Sequence, residues 1–285
     1  MVDETDVSAV DGAATPGDVP TLDGMPMLGF GTWMLEDPGE CVEAVSTALD
    51  VGYRHVDTAQ VYGNESDVGD AIERSAVDRD EVFLATKVWI DDLDYEEAIE
   101  TAYESLDRLG TDYVDLLYVH WPARAYDPER TLAAFDHLVA EGVTERIGVS
   151  NFEPDQLAEA CRRADAPIFA HQFECHPLLP QRHLIEACAE HGVHPVAYSP
   201  LARGKVLDRP AVADVAARND ATPAQVSLAW LRQQGIAAIP KATSGDHIRD
   251  NWGSLSVHLG EGDVEKVDAI DERERQVDPS FAPWR

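Results

Sequence analysis

The chain has 285 residues, 44% of them hydrophobic, which is enough for a sizeable buried core in one large domain or two smaller ones. Its 54 acidic residues outnumber 22 basic ones, and the formal net charge is −32. Such a surface would repel nucleic acid and anionic membranes, since both are bound through clusters of Lys and Arg, and we expect neither as a partner. The acidic excess is typical of halophilic proteins, in which high salt screens the self-repulsion.

The four cysteines form neither a CxxC pair nor a metal-ligand spacing, so we expect reduced thiols rather than disulfides. No stretch approaches the roughly 18 apolar residues of a membrane helix. Residues 1–20 carry acids where a signal peptide needs basic and then apolar residues, which predicts a short disordered tail. The expected location is the cytoplasm.

From Thr21 the segment TLDGMPM predicts a small hairpin, because Asp23-Gly24 suits backbone with positive φ. Short apolar runs then alternate with amphipathic segments such as 40–52, 95–110 and 181–192, which have helical spacing. Glycines at 52, 110, 142 and 192 are expected to end helices. The predicted strands are LGFGT (28–32), RHVDT (54–58), VFLATKV (82–88), VDLLYVH (114–120), RIGVS (146–150), IFAHQF (168–173), HPVAYS (194–199) and AAIP (237–240).

Eight strand–helix units favour a single (β/α)8 TIM barrel of class α/β, occupying residues 21–285, over an open sheet. An open dinucleotide-binding sheet would show GxGxxG after its first strand, whereas GFGTW lacks the third glycine. Barrels place their chemistry where strands end and the following loops begin. Polar groups stand there on seven consecutive strands: Asp57 with Tyr62 in its loop, Lys87, His120, Ser150-Asn151, Gln172, Tyr198 and Lys241.

Each of these residues alone has an ordinary structural explanation, such as a loop cap, a buried core histidine or a surface lysine. Their coincidence at one rim, which includes two of only four lysines, indicates a functional site. The segments around them, with their order and spacing from about residue 21 onward, resemble the signatures of the aldo-keto reductase family. Those segments are DTAQVYGNE (57–65), ATKVW (85–89), VHWP (119–122), GVSNF (148–152), YSPLARG (198–204) and IPKAT (239–243).

This resemblance implies an enzyme that reduces aldehydes and ketones to alcohols, with the hydride supplied by NAD(P)H and no metal. It implies that Tyr62 is the general acid and that Lys87 favours its ionised form. Asp57 would pair with Lys87, and His120 would hydrogen-bond the substrate oxygen. The catalytic tetrad is therefore expected to be Asp57, Tyr62, Lys87 and His120.

The resemblance also implies the cofactor contacts, and charge supports them independently. Residues 191–207 and 221–245, which include the last two strands, contain no Asp or Glu but retain cations, as suits phosphate binding. Burial alone would explain the missing acids but not the retained cations. By resemblance, the nicotinamide would contact Ser150, Asn151, Gln172 and Tyr198, the diphosphate would contact Ser199, Leu201 and Arg203, and the adenosine half would contact Lys241, Ala242, Thr243, His247, Asp250 and Asn251.

His247 stands where many NADP-preferring relatives carry arginine, and imidazole is only partly charged near neutral pH. We therefore expect NADP(H) to be preferred and leave use of NAD(H) open. The expected substrate pocket comprises Trp33, Trp89, Trp121 and Trp284, with the tail DPSFAPWR (278–285) over its mouth. The short loops resemble the bacterial branch that includes 2,5-diketo-D-gluconate reductases, which implies a small-molecule carbonyl substrate such as a keto sugar or methylglyoxal. The expected state is a monomer.

Two other interpretations remain at this point. A metal-dependent barrel hydrolase could use His55, Asp57, His120, His171 and His176, although its usual pair of early histidines is here His55-Val-Asp57. A nucleotide-sensing regulatory subunit would keep the fold without turnover. Metal analysis would test the first interpretation, and turnover of NADPH with a simple aldehyde would test the second.

Overall fold

The computed structural model describes residues 19–285, so the expected disordered tail lies almost wholly outside the described residues. The described chain begins with an antiparallel hairpin of β1 (Thr21–Leu22) and β2 (Met25–Pro26). Its turn has positive φ at Asp23 (46°) and Gly24 (92°), which confirms the predicted hairpin.

Eight parallel strands follow, and their sheet order matches their order along the chain. A parallel bridge between Leu28 and Ala238, flanked by the hydrogen bond from Gly31 N to Pro240 O at 3.2 Å, joins the first strand region to the last and closes the barrel. All eight predicted runs contain a strand, which confirms the (β/α)8 fold. The strands are β3 (Phe30–Gly31), β4 (His55–Asp57), β5 (Phe83–Val88), β6 (Leu116–Val119), β7 (Ile147–Ser150), β8 (Ile168–Glu174), β9 (His194–Tyr198) and β10 (Ala237–Ala238).

Helices separate these strands, and many begin at an acidic cap. The Asp37 and Asp127 side chains accept hydrogen bonds from backbone N–H groups in the first turns of α1 (Pro38–Val51) and α4 (Pro128–Ala140), and these groups otherwise lack partners. Gly52, Gly110 and Gly192 end helices with positive φ, as predicted. The helices are α1 (Pro38–Val51), α2 (Glu65–Arg74), α3 (Tyr95–Leu109), α4 (Pro128–Ala140), α5 (Pro154–Arg163), α6 (Arg182–His191), α7 (Pro210–Arg218), α8 (Pro223–Gln233), α9 (Gly245–Gly253) and α10 (Glu261–Asp268).

Apolar side chains fill the barrel interior at the amino-terminal ends of the strands. Space for a ligand is therefore expected at their carboxyl-terminal ends. Met25 of the hairpin is fully buried and packs in one apolar cluster with Phe83, Leu116 and Val196 from the barrel strands. Alternating strand residues packed in this way make a barrel core rather than a pore. No helix among residues 19–285 has the length and apolar character needed to cross a membrane.

Candidate active site

Lys87 lies near the carboxyl end of β5 with its side chain completely buried. Its Nζ donates to a carboxylate oxygen of Asp57 at the end of β4, to the backbone oxygen of Thr58 at 2.7 Å and to the hydroxyl of Tyr62 at 3.5 Å. An ammonium has three N–H bonds, so these acceptors satisfy it completely. Burial lowers the pKa of Lys87, and the charge of Asp57 opposes that shift.

Tyr62 ends a single 3-10 turn, Gln60–Tyr62, that follows β4. The Gln60 side chain fixes this turn, since its oxygen accepts from Trp89 N at 2.9 Å and its nitrogen donates to Thr101 O at 3.0 Å. Because the Tyr62 oxygen accepts a hydrogen bond from Lys87, the hydroxyl proton is free to point elsewhere. Gln60 lies within the segment DTAQVYGNE, but its role was not predicted, because it depends on contacts with residues of a separate strand and helix.

Burial raises the pKa of Tyr62 well above its usual value of 10.0, and the charge of Asp57 adds to the increase. Burial is the larger of these two causes, and the cation of Lys87 is itself paired with Asp57. The phenol is therefore protonated at neutral pH. The expected effect of Lys87 is to lower the pKa of Tyr62, and neither of these two causes does so. That effect therefore stays a prediction.

His120 directly follows β6, and its backbone N–H donates to Val88 O at 3.2 Å. Its ring stands edge to face with Tyr62, at 5.8 Å between centroids, and with Trp89, at 5.1 Å. Burial, followed by the charge of Lys87, lowers the pKa of His120 well below 6.5, so the imidazole is neutral. Its buried Nδ1 has no hydrogen-bond partner among the described residues.

A cavity of about 890 Å³ opens at this end of the barrel, near the top of the range of roughly 300–1,000 Å³ typical of ligand sites. Three of the four tetrad residues face it, and Lys87 lies behind them. The other expected residues that line it are Ser150, Asn151, Gln172, Tyr198, Ser199, Leu201, Arg203, Lys241, Trp33, Trp89 and Trp121. Those that do not line it are Ala242, Thr243, His247, Asp250, Asn251 and Trp284.

A hydrogen-bond network connects the tetrad to the expected nicotinamide residues. Gln172 donates from Nε2 to Asp57 Oδ2 at 2.7 Å, and Asn151 donates from Nδ2 to His120 O at 3.0 Å. The Tyr198 hydroxyl donates to Asn151 Oδ1 at 2.7 Å. These bonds hold the polar side chains of β7, β8 and β9 in fixed positions beside the proposed reaction centre.

The loop after β9 carries an unusual run of backbone conformations. Ser199, Ala202 and Arg203 have φ of 48°, 48° and 52°, in the left-handed region that side chains disfavour. The Arg203 guanidinium lies 4.7 Å from the ring centroid of Trp33, and both residues line the cavity. Strained backbone of this kind, held beside a cation, is common where a loop contacts a ligand.

The remaining cofactor candidates lie beyond the cavity, in and before α9. Ser244 caps this helix by accepting from His247 N at 3.3 Å, and His247 is exposed in the first turn. A helix amino terminus favours bound phosphate. Asp250 accepts from Thr222 and Gln225, each at 3.0 Å, so its carboxylate already has protein partners. Of the others, Thr243 is exposed, whereas Ala242 and Asn251 are buried.

The carboxyl-terminal tail covers part of the cavity, as expected, through Phe281 but not through Trp284. Phe281 faces the cavity and packs against Trp121 with 5.4 Å between ring centroids. Trp284, expected in the pocket, instead packs behind Trp121 and donates from Nε1 to Asp278 Oδ1 at 3.0 Å. Several lining residues were not expected, because no local pattern places them there: Met34, Glu36, Val61, Gln276 and Val277.

The histidines of the metal-hydrolase interpretation do not converge. His55 contacts Pro26 O at 3.1 Å beneath the barrel, and His171 Nε2 accepts from Phe152 N at 3.2 Å. His176 pairs with Glu174 at 2.9 Å. Within residues 19–285, the His, Cys, Asp and Glu side chains close enough to share a metal ion are Asp94, Glu96 and Glu97, and this group includes no histidine.

Comparisons with known proteins agree with this geometry. The family model described as "Aldo/keto reductase family" matches residues 27–272. The chain is 39% identical over 255 residues to the uncharacterized oxidoreductase YtbE of Bacillus subtilis, covering 88% of this chain and 91% of that protein. It is 38% identical to the methylglyoxal reductase DkgB of Salmonella typhimurium, covering 90% of this chain and 96% of that protein.

A solved structure provisionally named 2,5-diketo-D-gluconic acid reductase B superposes with a TM-score of 0.87 at 36% identity. The match covers 90% of this chain and 92% of that chain. A match this extensive in both sequence and fold includes every strand that carries the site. The chain therefore belongs to the aldo/keto reductase family and is an NAD(P)H-dependent oxidoreductase.

Proposed function

We propose that this enzyme reduces small aldehydes and ketones to alcohols, with NADPH as the preferred hydride donor and Tyr62 as the proton donor. The main support is the set of three acceptors around Lys87 Nζ, which includes the Tyr62 oxygen. Because that oxygen accepts from Lys87, the Tyr62 hydroxyl proton remains available for the substrate. Reduction adds a hydride to the carbonyl carbon, and the C=O pair moves to oxygen, which takes the Tyr62 proton. The resulting phenolate then regains a proton from water.

The residues around the cavity suit a nicotinamide dinucleotide. Amide and hydroxyl groups of Ser150 and Gln172 would hold the carboxamide, and the Tyr198 ring would lie against the nicotinamide. Arg203 and Lys241 provide positive charge for the diphosphate and ribose phosphate, at the rim of an otherwise acidic protein. When bound, the cofactor supplies the hydride. Thr243, His247 and Asn251 would meet its adenosine half outside the cavity.

His120 would orient the carbonyl oxygen. Its imidazole is neutral because burial lowers its pKa, so it can donate one N–H hydrogen bond without competing with Tyr62 as an acid. The Lys87 ammonium does not line the cavity but contacts the Tyr62 hydroxyl, and it would stabilise the negative charge that develops on the phenol oxygen. Asp57 holds that ammonium in place.

The substrate wall is aromatic and apolar, with Trp33, Trp89, Trp121 and Phe281 at the cavity. Such a wall favours small uncharged carbonyl compounds with an apolar group. Methylglyoxal is the first substrate to test, because the similar Salmonella protein is named as its reductase. Keto sugars are the second class, following the diketogluconate reductase name of the similar structure.

The test is a steady-state assay of NADPH and NADH oxidation with methylglyoxal, benzaldehyde, a simple ketone and a keto sugar, at low and molar salt. We expect turnover with at least one aldehyde and a higher kcat/KM with NADPH than with NADH. Dinucleotide binding without turnover of any carbonyl compound would favour the regulatory-subunit interpretation. The cytoplasmic location and the monomeric state stay predictions, which fractionation and light scattering would test.

A further inference from the structure

Glu174 ends β8, two residues beyond Gln172, and is completely buried. One carboxylate oxygen accepts from His176 Nε2 at 2.9 Å and from Gln276 N at 2.6 Å. The other oxygen accepts from Val277 N at 2.9 Å. A strand at the rim of the active site thus binds two consecutive backbone N–H groups about a hundred residues later in the chain.

Those two N–H groups belong to the carboxyl-terminal tail, which has no helix or strand between residues 271 and 285. Its backbone makes one further bond nearby, from Glu274 N to Leu178 O at 2.9 Å. Val277 and Phe281 nevertheless line the cavity, and Phe281 contacts Trp89 and Trp121 through edge-to-face rings. Because the tail has no regular structure of its own, its position depends on such anchors.

We propose that Glu174 is a positioning residue for substrate binding: its carboxylate holds the tail at Gln276 and Val277, so that Val277 and Phe281 form one wall of the pocket. This inference rests on the proposed carbonyl reduction. An ionised carboxylate accepts on both oxygens, whereas an amide in the same place would turn one acceptor into a donor facing an N–H group. The Glu174 carboxylate has no hydrogen bond to the tetrad, and the contact of Glu174 with Tyr198 is made by its backbone, which Glu174→Gln leaves in place. The carboxylate therefore acts through the tail.

The first experiment measures hydrogen exchange of tail amides in the wild type, in Glu174→Gln and in Glu272→Gln. Glu272 lies in the same tail and loses the same charge, but its carboxylate is 60% exposed and pairs with Arg209 on the surface. We expect the amides of Gln276 and Val277 to exchange at least about tenfold faster in Glu174→Gln only, because their protection depends on this acceptor. Unchanged exchange in Glu174→Gln would overturn the proposal.

The second experiment separates positioning from general structural damage by comparing two substrates. Benzaldehyde is large enough to contact the tail wall, whereas methylglyoxal is smaller. In Glu174→Gln we expect KM for benzaldehyde to rise by about fivefold or more, with kcat for methylglyoxal and cofactor affinity changed by less than about twofold. Phe281→Ala, which leaves the anchor intact, should raise the same KM without faster exchange at Gln276.

An equal loss of kcat with both substrates would overturn the positioning role. If Glu174→Gln does not fold, Glu174→Asp keeps the charge but shortens the side chain, and the same selective rise in KM is required of it. Exchange needs no turnover, so it also distinguishes the two claims. A wild type without activity whose Glu174→Gln tail exchanges faster would refute the proposed function, while the anchor would stand.

Discussion

Tyr62 and His120 both face the cavity, yet only one of them has a proton to transfer. Burial and the charge of Lys87 lower the pKa of His120, so its ring is neutral and has no imidazolium proton to give at neutral pH. Tyr62 is also buried and protonated, but its oxygen lies 3.5 Å from an ammonium that can stabilise the phenolate once the proton leaves. Lys87 therefore makes the two residues different as proton donors. Its ammonium contacts the Tyr62 hydroxyl, and its positive charge disfavours the protonated form of His120.

We expect Tyr62→Phe to lower turnover by about 100-fold or more, because general acid catalysis is worth about 10²–10⁴-fold. Cofactor affinity, measured by fluorescence titration, should stay within about twofold, since other residues provide the cofactor contacts. Tyr103→Phe is the matched control, because Tyr103 is 43% exposed on α3 and should behave as the wild type. Turnover above about a tenth of the wild-type value in Tyr62→Phe would contradict this role.

Lys87→Met should lower turnover and raise the pKa of Tyr62 further, because the charge of Asp57 would then act unopposed. Reduction needs the protonated phenol, so the pH above which the rate falls should move upward. Lys266→Met is the control, since Lys266 pairs with Asp214 at the surface at 2.6 Å. An intact rate with an unchanged pH profile would show that Lys87 is structural only.

Losing one partner of a buried ion pair costs about 3–5 kcal/mol, so Lys87→Met could unfold the enzyme. The double variant Asp57→Asn/Lys87→Met removes both charges and should recover much of that stability. It should remain as slow as the single variant, because it still lacks the ammonium beside Tyr62. Recovery of activity together with stability would contradict the assigned role.

At the scale of elements, α2 packs so closely on the end of α3 that it requires a glycine. A Cβ on Gly69 would lie 2.4 Å from the Leu109 carbonyl oxygen, and backbone cannot rotate away as a side chain can. Gly69→Ala should therefore destabilise by about 1–3 kcal/mol through overpacking, despite a gain of about 1 kcal/mol in helix propensity.

Gly262→Ala in α10 is the matched control, because its added Cβ would meet no atom within 4 Å. Its melting temperature should be unchanged or slightly raised, whereas that of Gly69→Ala should fall by roughly 2–4 °C per kcal/mol. Equal melting temperatures for the two variants would show that α2 and α3 separate easily. Thermal unfolding followed by circular dichroism measures both.

α9 carries the expected determinant of cofactor choice. His247→Arg would place a permanent guanidinium on its first turn, where it could bind the ribose phosphate through two hydrogen bonds. The NADPH/NADH ratio of kcat/KM should rise by about one to two decades at low salt, and less at molar salt. His258→Arg, also exposed but outside α9, is the control. A change within about twofold in both salts would mean that His247 does not face the phosphate.

The sequence predicted those elements whose signal is local. Each strand appeared as an apolar run, and the hairpin turn appeared as Asp23-Gly24, because neighbouring residues determine these conformations. The strand ends indicated where polar residues would gather, whereas the choice of the tetrad among them came from the resemblance to the family. The tail was expected over the cavity mouth, but the way it is anchored could not be predicted, since it depends on Glu174, which is 102 residues from Gln276, and on aromatic contacts between distant segments. Trp284 was misplaced for the same reason, because nothing nearby indicates that it packs behind Trp121.

At the scale of the whole molecule, the formal charge of −32 is the dominant surface property. Some acids have structural partners, such as the capping Asp37 or the pair between Asp115 and Arg79 at 3.0 Å. With 54 acidic and 22 basic residues, however, most acids cannot be paired with a cation. Self-repulsion of this kind destabilises the compact state when salt is scarce.

The melting temperature should therefore rise with KCl between about 0.01 and 1 M, as the Debye length falls from about 30 Å to about 3 Å. Sucrose is the control, because it stabilises by exclusion from the surface and screens no charge. If screening is the cause, most of the rise in melting temperature should occur at low KCl concentration, where exclusion from the surface is negligible. Sucrose at the same low concentration should not raise the melting temperature to the same extent. A melting temperature that stays flat or falls with KCl would contradict self-repulsion as the limit on stability. The acidic surface would then need another explanation than adaptation to high salt.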